Sequence, residues 1–192
     1  VVLRNWDLDD GLPSARISAI VRTPDGYLWL ATHGGLVRFD GTRFKVFDTS
    51  NTPGMKDDRA SCLLLDKRGD LWAGTYGATL LKREGQVFRA QDLGTALPSR
   101  KVNALAEDGQ GDLWVAIEDN GLVRFHNGQV EKFNTASGLA SDNVRVLMCD
   151  DGGRLWAVAE GQIRIFEAGR SRAPSGWSPA FPKVRRVSQA RG

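Results

Sequence analysis

The sequence predicts an all-β fold, a β-propeller built of four-stranded antiparallel blades. The first observation is a Gly-x-Leu-Trp motif that returns four times, at intervals of 43, 42 and 42 residues. Its tryptophans are Trp29, Trp72, Trp114 and Trp156. The second is that apolar runs of four to seven residues alternate with turns rich in Gly, Asp and Asn, the pattern of strands joined by hairpins. Four such runs per period of about 42 residues are typical of a propeller blade.

Each unit contains the same parts in the same order. An apolar run is followed by a glycine turn, the tryptophan strand, a variable loop, a third run, a second glycine turn and a fourth run. No segment between these runs is long and periodic enough to predict an amphipathic helix. Within a single region covering 1–192, the predicted blades span residues 17–48, 60–91, 102–134 and 144–173. Residues 2–8 are predicted to be a fourth strand without its own blade, and residues 184–192 the start of a fifth unit.

About four blades are therefore expected, and we interpret them as part of a larger, seven-bladed ring. A blade needs a neighbour on each side, because an open arc exposes apolar faces and unpaired strand edges. The expected partners of the arc are further propeller blades or a second copy of the chain. A closed four-bladed ring and a ring completed by a second copy remain as alternatives.

Composition indicates an ordinary soluble domain, with 41% hydrophobic and 26% charged residues. No apolar stretch approaches the roughly 18 residues that span a bilayer, so no membrane span is predicted in this chain. The chain starts without Met or an apolar leader, and we expect it to come from a larger or processed protein. Residues 164–192 carry a net charge of +6, which we interpret as an arginine-rich, solvated surface. Nucleic acid is therefore not an expected partner.

The residues that recur in every unit are predicted to be structural. A tryptophan on an interior strand suits the interface between blades, since it buries a large apolar area. Glycine accepts the positive φ of a tight turn, and aspartate caps turns through its own side chain. The glycines are Gly26, Gly69, Gly111 and Gly153, and the aspartates are Asp66, Asp108 and Asp150.

Catalytic and metal-binding patterns are missing from the sequence. The two histidines, His33 and His126, fall in different loops, and no set of His, Cys or carboxylates has metal-ligand spacing. The stretch "DLDDG" at 7–11 lacks the alternating ligands and closing Glu of a calcium loop. Cys62 and Cys149 lie at different depths of their units, so no disulfide is predicted. We expect a chain that is not an enzyme and holds no metal or cofactor.

A family resemblance covers essentially the whole chain and recurs in all four units, most clearly in two segments. Residues 10–47 and 96–133 follow the same pattern almost position for position, and this pattern resembles the two-component regulator propeller repeat. The resemblance implies a ligand-sensing region in the periplasm or another extracytoplasmic space, within a signal-transduction receptor. Its output domain would be a histidine kinase, often hybrid, or a diguanylate cyclase, outside this chain. The implied ligand is an unknown small molecule, often glycan-derived.

The loops that vary between units are the expected binding residues, because variable polar loops on a constant scaffold commonly carry binding. They precede the first strand or join the second strand to the third. The candidates are Arg16, His33, Arg59, Tyr76, Arg100, Glu118, Asp119 and Asn143. A protein-interaction scaffold and, less favoured, a propeller lyase or hydrolase with an acid/base pair on this rim are the alternative functions.

Overall fold

The computed structural model describes residues 4–93, 100–167 and 170–172, and in these ranges sixteen strands form four antiparallel sheets. The predicted all-β class and four-stranded blades are confirmed. In each sheet the strands pair in chain order, so each blade is a simple meander. The only helix in these ranges is a single 3-10 turn, Thr135–Ser137. No helix among these residues is long and apolar enough to span a membrane.

The strands of the four blades have closely matched bounds. The first strands are β1 (Ile17–Arg22), β5 (Ala60–Leu65), β9 (Val102–Glu107) and β13 (Val144–Cys149). The second strands are β2 (Leu28–Thr32), β6 (Leu71–Thr75), β10 (Leu113–Ile117) and β14 (Leu155–Ala159). The third strands are β3 (Gly35–Phe39), β7 (Leu80–Glu84), β11 (Gly121–His126) and β15 (Gln162–Glu167). The fourth strands are β4 (Phe44–Phe47), β8 (Val87–Gln91), β12 (Gln129–Phe133) and β16 (Arg170–Arg172).

The turn between the first and second strands shows why the glycine motif recurs. In blade 2, Gly69 has φ of 86°, a left-handed conformation that glycine adopts without strain. One carboxylate oxygen of Asp66 accepts hydrogen bonds from the backbone N–H groups of Arg68 and Asp70, at 3.0 and 2.8 Å. The turn is therefore closed by its own aspartate before the tryptophan strand begins.

A bulge in the first strand links neighbouring blades. The register shifts by one residue near the start of β1, β5, β9 and β13. In blade 2, the hydroxyl of Ser61 at the bulge donates to the carbonyl of Val102 in blade 3, at 2.6 Å. In blade 3, the amide of Asn103 donates to the carbonyl of Val144 in blade 4, at 2.9 Å. The bulge thus aims a polar side chain at the first strand of the next blade.

Each interface between blades is a tryptophan-bearing face packed on the leucine-bearing face of the next blade. Trp29 of blade 1 packs with Leu71 and Ala73 of blade 2, and Trp114 of blade 3 packs with Leu155 of blade 4. The exposed fractions of the Trp29 and Trp114 side chains are 1% and 0%. The core is therefore a series of separate inter-blade layers, as a radial arrangement requires.

The four blades form an open arc rather than the closed four-bladed ring kept as an alternative. The described contacts join blade 1 to 2, 2 to 3 and 3 to 4. On blade 1, Ile20 is 61% exposed, and on blade 4, Val146 and Met148 are 52% and 54% exposed. These outward positions have no blade beside them in this structure.

The predicted strand over 2–8 has no blade of its own among the described residues, and it stays a prediction. The sequence predicts a strand over 2–8, but residues 4–8 belong to no sheet. A strand is stabilised by its hydrogen-bond ladder, and no described strand pairs with this segment. The indole of Trp6 instead packs edge-on against the ring of Phe39, with centroids 5.1 Å apart. The predicted fifth unit at 184–192 lies outside the described residues.

Candidate ligand-binding rim

The lead-in segments and the loops between second and third strands lie side by side at one edge of the blades. A backbone N–H in the loop donates to a carbonyl in the lead-in segment in three blades. These bonds run from His33 to Arg16 (3.1 Å), from Tyr76 to Arg59 (2.9 Å) and from Glu118 to Lys101 (2.9 Å). We call this edge the loop rim, and the opposite edge, which carries the glycine turns, the hairpin rim. Most of the sequence-predicted candidates therefore lie near one another on the loop rim.

Tyr76 is the centre of a cluster built from three blades. The guanidinium carbon of Arg59 and the ammonium nitrogen of Lys101 each lie 4.9 Å from the centroid of its ring. The imidazole of His33, from blade 1, meets the same ring edge-on, with centroids 5.4 Å apart. Cations within about 6 Å of an aromatic centroid are attracted by the negative face of the ring. Together with Asp57, these residues form what we call the Tyr76 cluster.

The loop that carries Tyr76 is held by a buried threonine. The hydroxyl oxygen of Thr75 accepts hydrogen bonds from the backbone N–H groups of Gly77 and Thr79, both at 3.2 Å. A Cβ on Gly77 would lie 2.9 Å from the Cβ of Asp57, so only glycine permits this close approach. Tyr76 is therefore presented on an ordered loop packed against its own lead-in segment.

Arg59 is oriented by the carboxylate of Asp57. The Nε and Nη2 groups of Arg59 donate to the two oxygens of Asp57 at 2.9 and 2.5 Å. This fork holds the pKa of the Asp57 carboxyl below its usual range and raises the pKa of Arg59. Within the described part of the chain, the ammonium of Lys101 makes no ion pair. Arg59 is therefore neutralised by a carboxylate, whereas Lys101 has no carboxylate partner among the described residues.

Other predicted candidates lie outside the contacts of Tyr76. Arg100 pairs with Asp119 at 2.9 Å, and both side chains are about half exposed, so this pair contributes little to stability. Arg16 is exposed beside the rim. Asn143 belongs to blade 4, where its backbone N–H bonds the hydroxyl of Ser141 at 3.1 Å. Glu118 reaches the cluster through its backbone bond to Lys101.

Two members of the cluster, Asp57 and Lys101, were missed in the sequence. Asp57 precedes Arg59 by two residues, and this spacing was a usable signal for a local ion pair. Lys101 comes from the next repeat, and its contact with Tyr76 exists only after blades 2 and 3 pack together. No spacing within one unit indicates such a contact.

The second histidine belongs to a separate, structural cluster in blade 3. The guanidinium of Arg124 bonds Asp112 at 2.5 Å, and the exposed fractions of the two side chains are 9% and 7%. The Nδ1 atom of His126 lies 2.8 Å from the same carboxylate. Arg124 also lies over the Trp114 ring, 5.5 Å from its centroid. This cluster fixes the third strand against the tryptophan strand.

The turn aspartates have a partner that the sequence did not reveal. The indole N–H of each tryptophan donates to the aspartate six residues earlier, at 2.8 to 2.9 Å, in the pairs Asp66–Trp72, Asp108–Trp114 and Asp150–Trp156. In blade 1 the hydroxyl of Thr23 takes this place for Trp29, at 3.1 Å. The indole bond and the turn's backbone bonds lower the pKa of Asp150 to about 2.

The described ranges contain no candidate site for metal binding or thiol chemistry. No group of three or more His, Cys, Asp or Glu residues there is placed to hold a metal ion. Cys62 and Cys149 are both free thiols, and burial raises the pKa of Cys62 to about 11. Cys62 packs in the layer between blades 2 and 3.

Three segments of the chain, residues 11–34, 54–77 and 96–119, match the family model described as two component regulator propeller. The three segments are similar to two-component regulator propeller repeats, and together they cover less than half of the chain. Each match covers a lead-in segment and the first two strands of a blade. All members of the Tyr76 cluster lie within the matched segments, so the cluster is built from three successive matched units.

Solved structures share the blade arrangement. The extracellular domain of the hybrid two-component system BT3049 from B. thetaiotaomicron matches with a TM-score of 0.74 and 21% identity, over 88% of this chain and 26% of that chain. The extracellular domain of BT4673 from the same organism matches with 0.67 and 24%, over 81% and 22%. Virginiamycin B lyase from Staphylococcus aureus matches with 0.68 and 14%, over 84% and 56%. At these identities the likeness shows the fold alone.

A curated sequence relative is the photosystem II assembly lipoprotein Ycf48 of Synechococcus sp. (strain RCC307). It is 28% identical over 99 residues, which are half of this chain and 30% of that protein. The chain thus spans about a third of the relative it matches and about a quarter of the two B. thetaiotaomicron domains.

Proposed function

We propose that this chain is part of the ligand-sensing, extracytoplasmic region of a two-component-type receptor, and that it binds its ligand without transforming it. Three propeller repeats of that family and the likeness to extracellular domains of hybrid two-component systems support this proposal. The ligand is a small polar molecule, with glycan fragments as the first class to test. The output, a histidine kinase or a diguanylate cyclase, belongs to other parts of the receptor.

The Tyr76 cluster is the observation that carries the proposal. It combines a half-buried aromatic ring with a guanidinium, an ammonium, an imidazole and a carboxylate on one rim. Its members come from blades 1, 2 and 3. A ligand that bridges them contacts three blades at once, and binding therefore favours one relative arrangement of the blades. A ligand-dependent change in the relative arrangement of the blades is what a sensor needs in order to pass a signal to a distant domain.

The test is a thermal melting series with a panel of neutral and acidic mono- and disaccharides. At least one sugar is expected to raise the melting temperature of the wild-type chain, because a ligand that binds only the folded state stabilises it. The variant Tyr76→Ala should lose this rise. The matched control is Tyr27→Ala, which removes the other tyrosine; Tyr27 lies at the hairpin rim with Arg38 stacked 4.3 Å from its ring centroid.

The proposal fails if no sugar of the panel stabilises the chain. It also fails if Tyr76→Ala responds to the sugars as strongly as the wild type and Tyr27→Ala do.

A further inference from the structure

We infer that the Tyr76 cluster selects a ligand that carries an anionic group, a carboxylate, sulfate or phosphate, and that Lys101 is its main counter-charge. This inference rests on the proposed function of the same rim. It starts from the convergence of three basic side chains, His33, Arg59 and Lys101, on one aromatic ring. Cations brought close together repel one another, and a nearby anion relieves this repulsion.

The described residues supply only part of that charge. Asp57 neutralises Arg59 through a two-point ion pair. The acidic side chain at the tip of the third loop, Asp119, is bound by Arg100. Glu118 contacts Lys101 through its backbone N–H and makes no ion pair with its ammonium in the described ranges. Among the described residues, the negative partner of the Lys101 ammonium is the electron-rich face of Tyr76.

The geometry of Lys101 suits capture of an anion. Lys101 is half-buried, and its ammonium nitrogen lies 4.9 Å from the centroid of the Tyr76 ring. An ammonium has three N–H donors, and the face of an aromatic ring is a weaker acceptor for each of them than a carboxylate is. A ligand anion next to Lys101 therefore forms a charge-assisted hydrogen bond without displacing a protein carboxylate. Arg59, held by Asp57, borders the same ring with its guanidinium.

The experiment is isothermal titration of the wild-type chain with glucuronate, glucose and inorganic phosphate. Glucuronate and glucose differ at one carbon, which carries a carboxylate in the first and a hydroxymethyl group in the second. Glucuronate is expected to bind about tenfold more tightly than glucose, the difference expected for one charge-assisted contact. Salt should weaken the binding of glucuronate and leave that of glucose unchanged, since ions screen exposed charges.

The variant Lys101→Met keeps the length and packing of the stem and removes the charge. It should lose about tenfold in affinity for glucuronate and nothing for glucose. The adjacent variant Arg100→Met is the matched control and should keep both affinities, because Arg100 is paired with Asp119 away from the ring. Melting curves of both variants show that they remain folded.

The phosphate titration separates two sources of the anion. If phosphate binds as tightly as glucuronate, the cluster recognises a free anion; if only glucuronate binds, the sugar ring contributes as well, and either result supports the inference. Equal affinity for glucose and glucuronate, or unchanged glucuronate binding in Lys101→Met, overturns it. If one of these results overturns the inference but Tyr76→Ala still abolishes glucose binding, the proposed function stands without the inference. If none of the three compounds binds, the inference fails; the proposed function fails with it only if no sugar of the melting panel stabilises the chain.

Discussion

At the scale of single residues, the turn aspartate has two roles in one side chain. In blade 3, one oxygen of Asp108 accepts from the backbone N–H groups of Gln110 and Asp112, at 2.8 and 3.1 Å. The other oxygen accepts from the indole of Trp114 at 2.9 Å. The aspartate thus ties the hairpin turn to the side chain that fills the interface between blades. The motif recurs because turn and core depend on the same residue.

We predict that Asp108→Asn lowers the free energy of unfolding by about 2–3 kcal/mol, because the amide cannot accept all three hydrogen bonds and one buried donor loses its partner. Urea denaturation measures this loss. Asp66→Asn is the matched control at the more exposed position of blade 2, and its loss should be smaller. Equal losses in both variants would contradict the importance of burial at Asp108.

At the scale of the blade, the tryptophan face is the element that joins repeats. Trp114 is fully buried against blade 4, and its ring also meets Phe133 and Phe166, with centroids 5.1 and 4.9 Å away. Trp156 occupies the same position in blade 4 and is half-buried. The tryptophan therefore contributes more to stability where the next blade covers it than where it is half-buried.

We predict that Trp114→Ala destabilises the chain by about 3–5 kcal/mol, the cost of removing a fully buried aromatic side chain. Trp156→Ala removes the same atoms from a half-buried site and should cost clearly less. Thermal or urea unfolding of the two variants under identical conditions provides the comparison. A larger loss for Trp156→Ala would contradict the arrangement of the inter-blade layers.

At the scale of the whole molecule, the fold was predictable because its information is local and repeated. The Gly69-type turns, the alternating apolar strands and the 42-residue period all report on contacts within one blade. The strand over 2–8 stays a prediction, since strand formation depends on a ladder partner and the described strands do not include one for residues 4–8.

The candidate rim was predictable only in outline. Variation among loops pointed to His33, Arg59 and Tyr76, and the structure brings these three together. Lys101 was missed although it occupies the position of Arg59 in the next unit. Its contact with Tyr76 itself exists only once blades 2 and 3 pack together. Arg100, its neighbour in sequence, was chosen instead and pairs with Asp119 outside the cluster. The sequence therefore indicates which loops form such a site, but not which of their charged side chains are paired with one another.

The most direct test of the binding surface is hydrogen exchange measured by mass spectrometry, with and without the panel sugar that stabilises the chain most. We predict slower exchange in loop-rim segments of blades 1 to 3, among them residues 32–35, 56–59, 75–79, 100–101 and 117–121. We predict no change at the hairpin rim, residues 23–27, 66–70, 108–112 and 150–154. Protection confined to the hairpin rim, with none near Tyr76, would contradict the assignment of the loop rim as the binding surface.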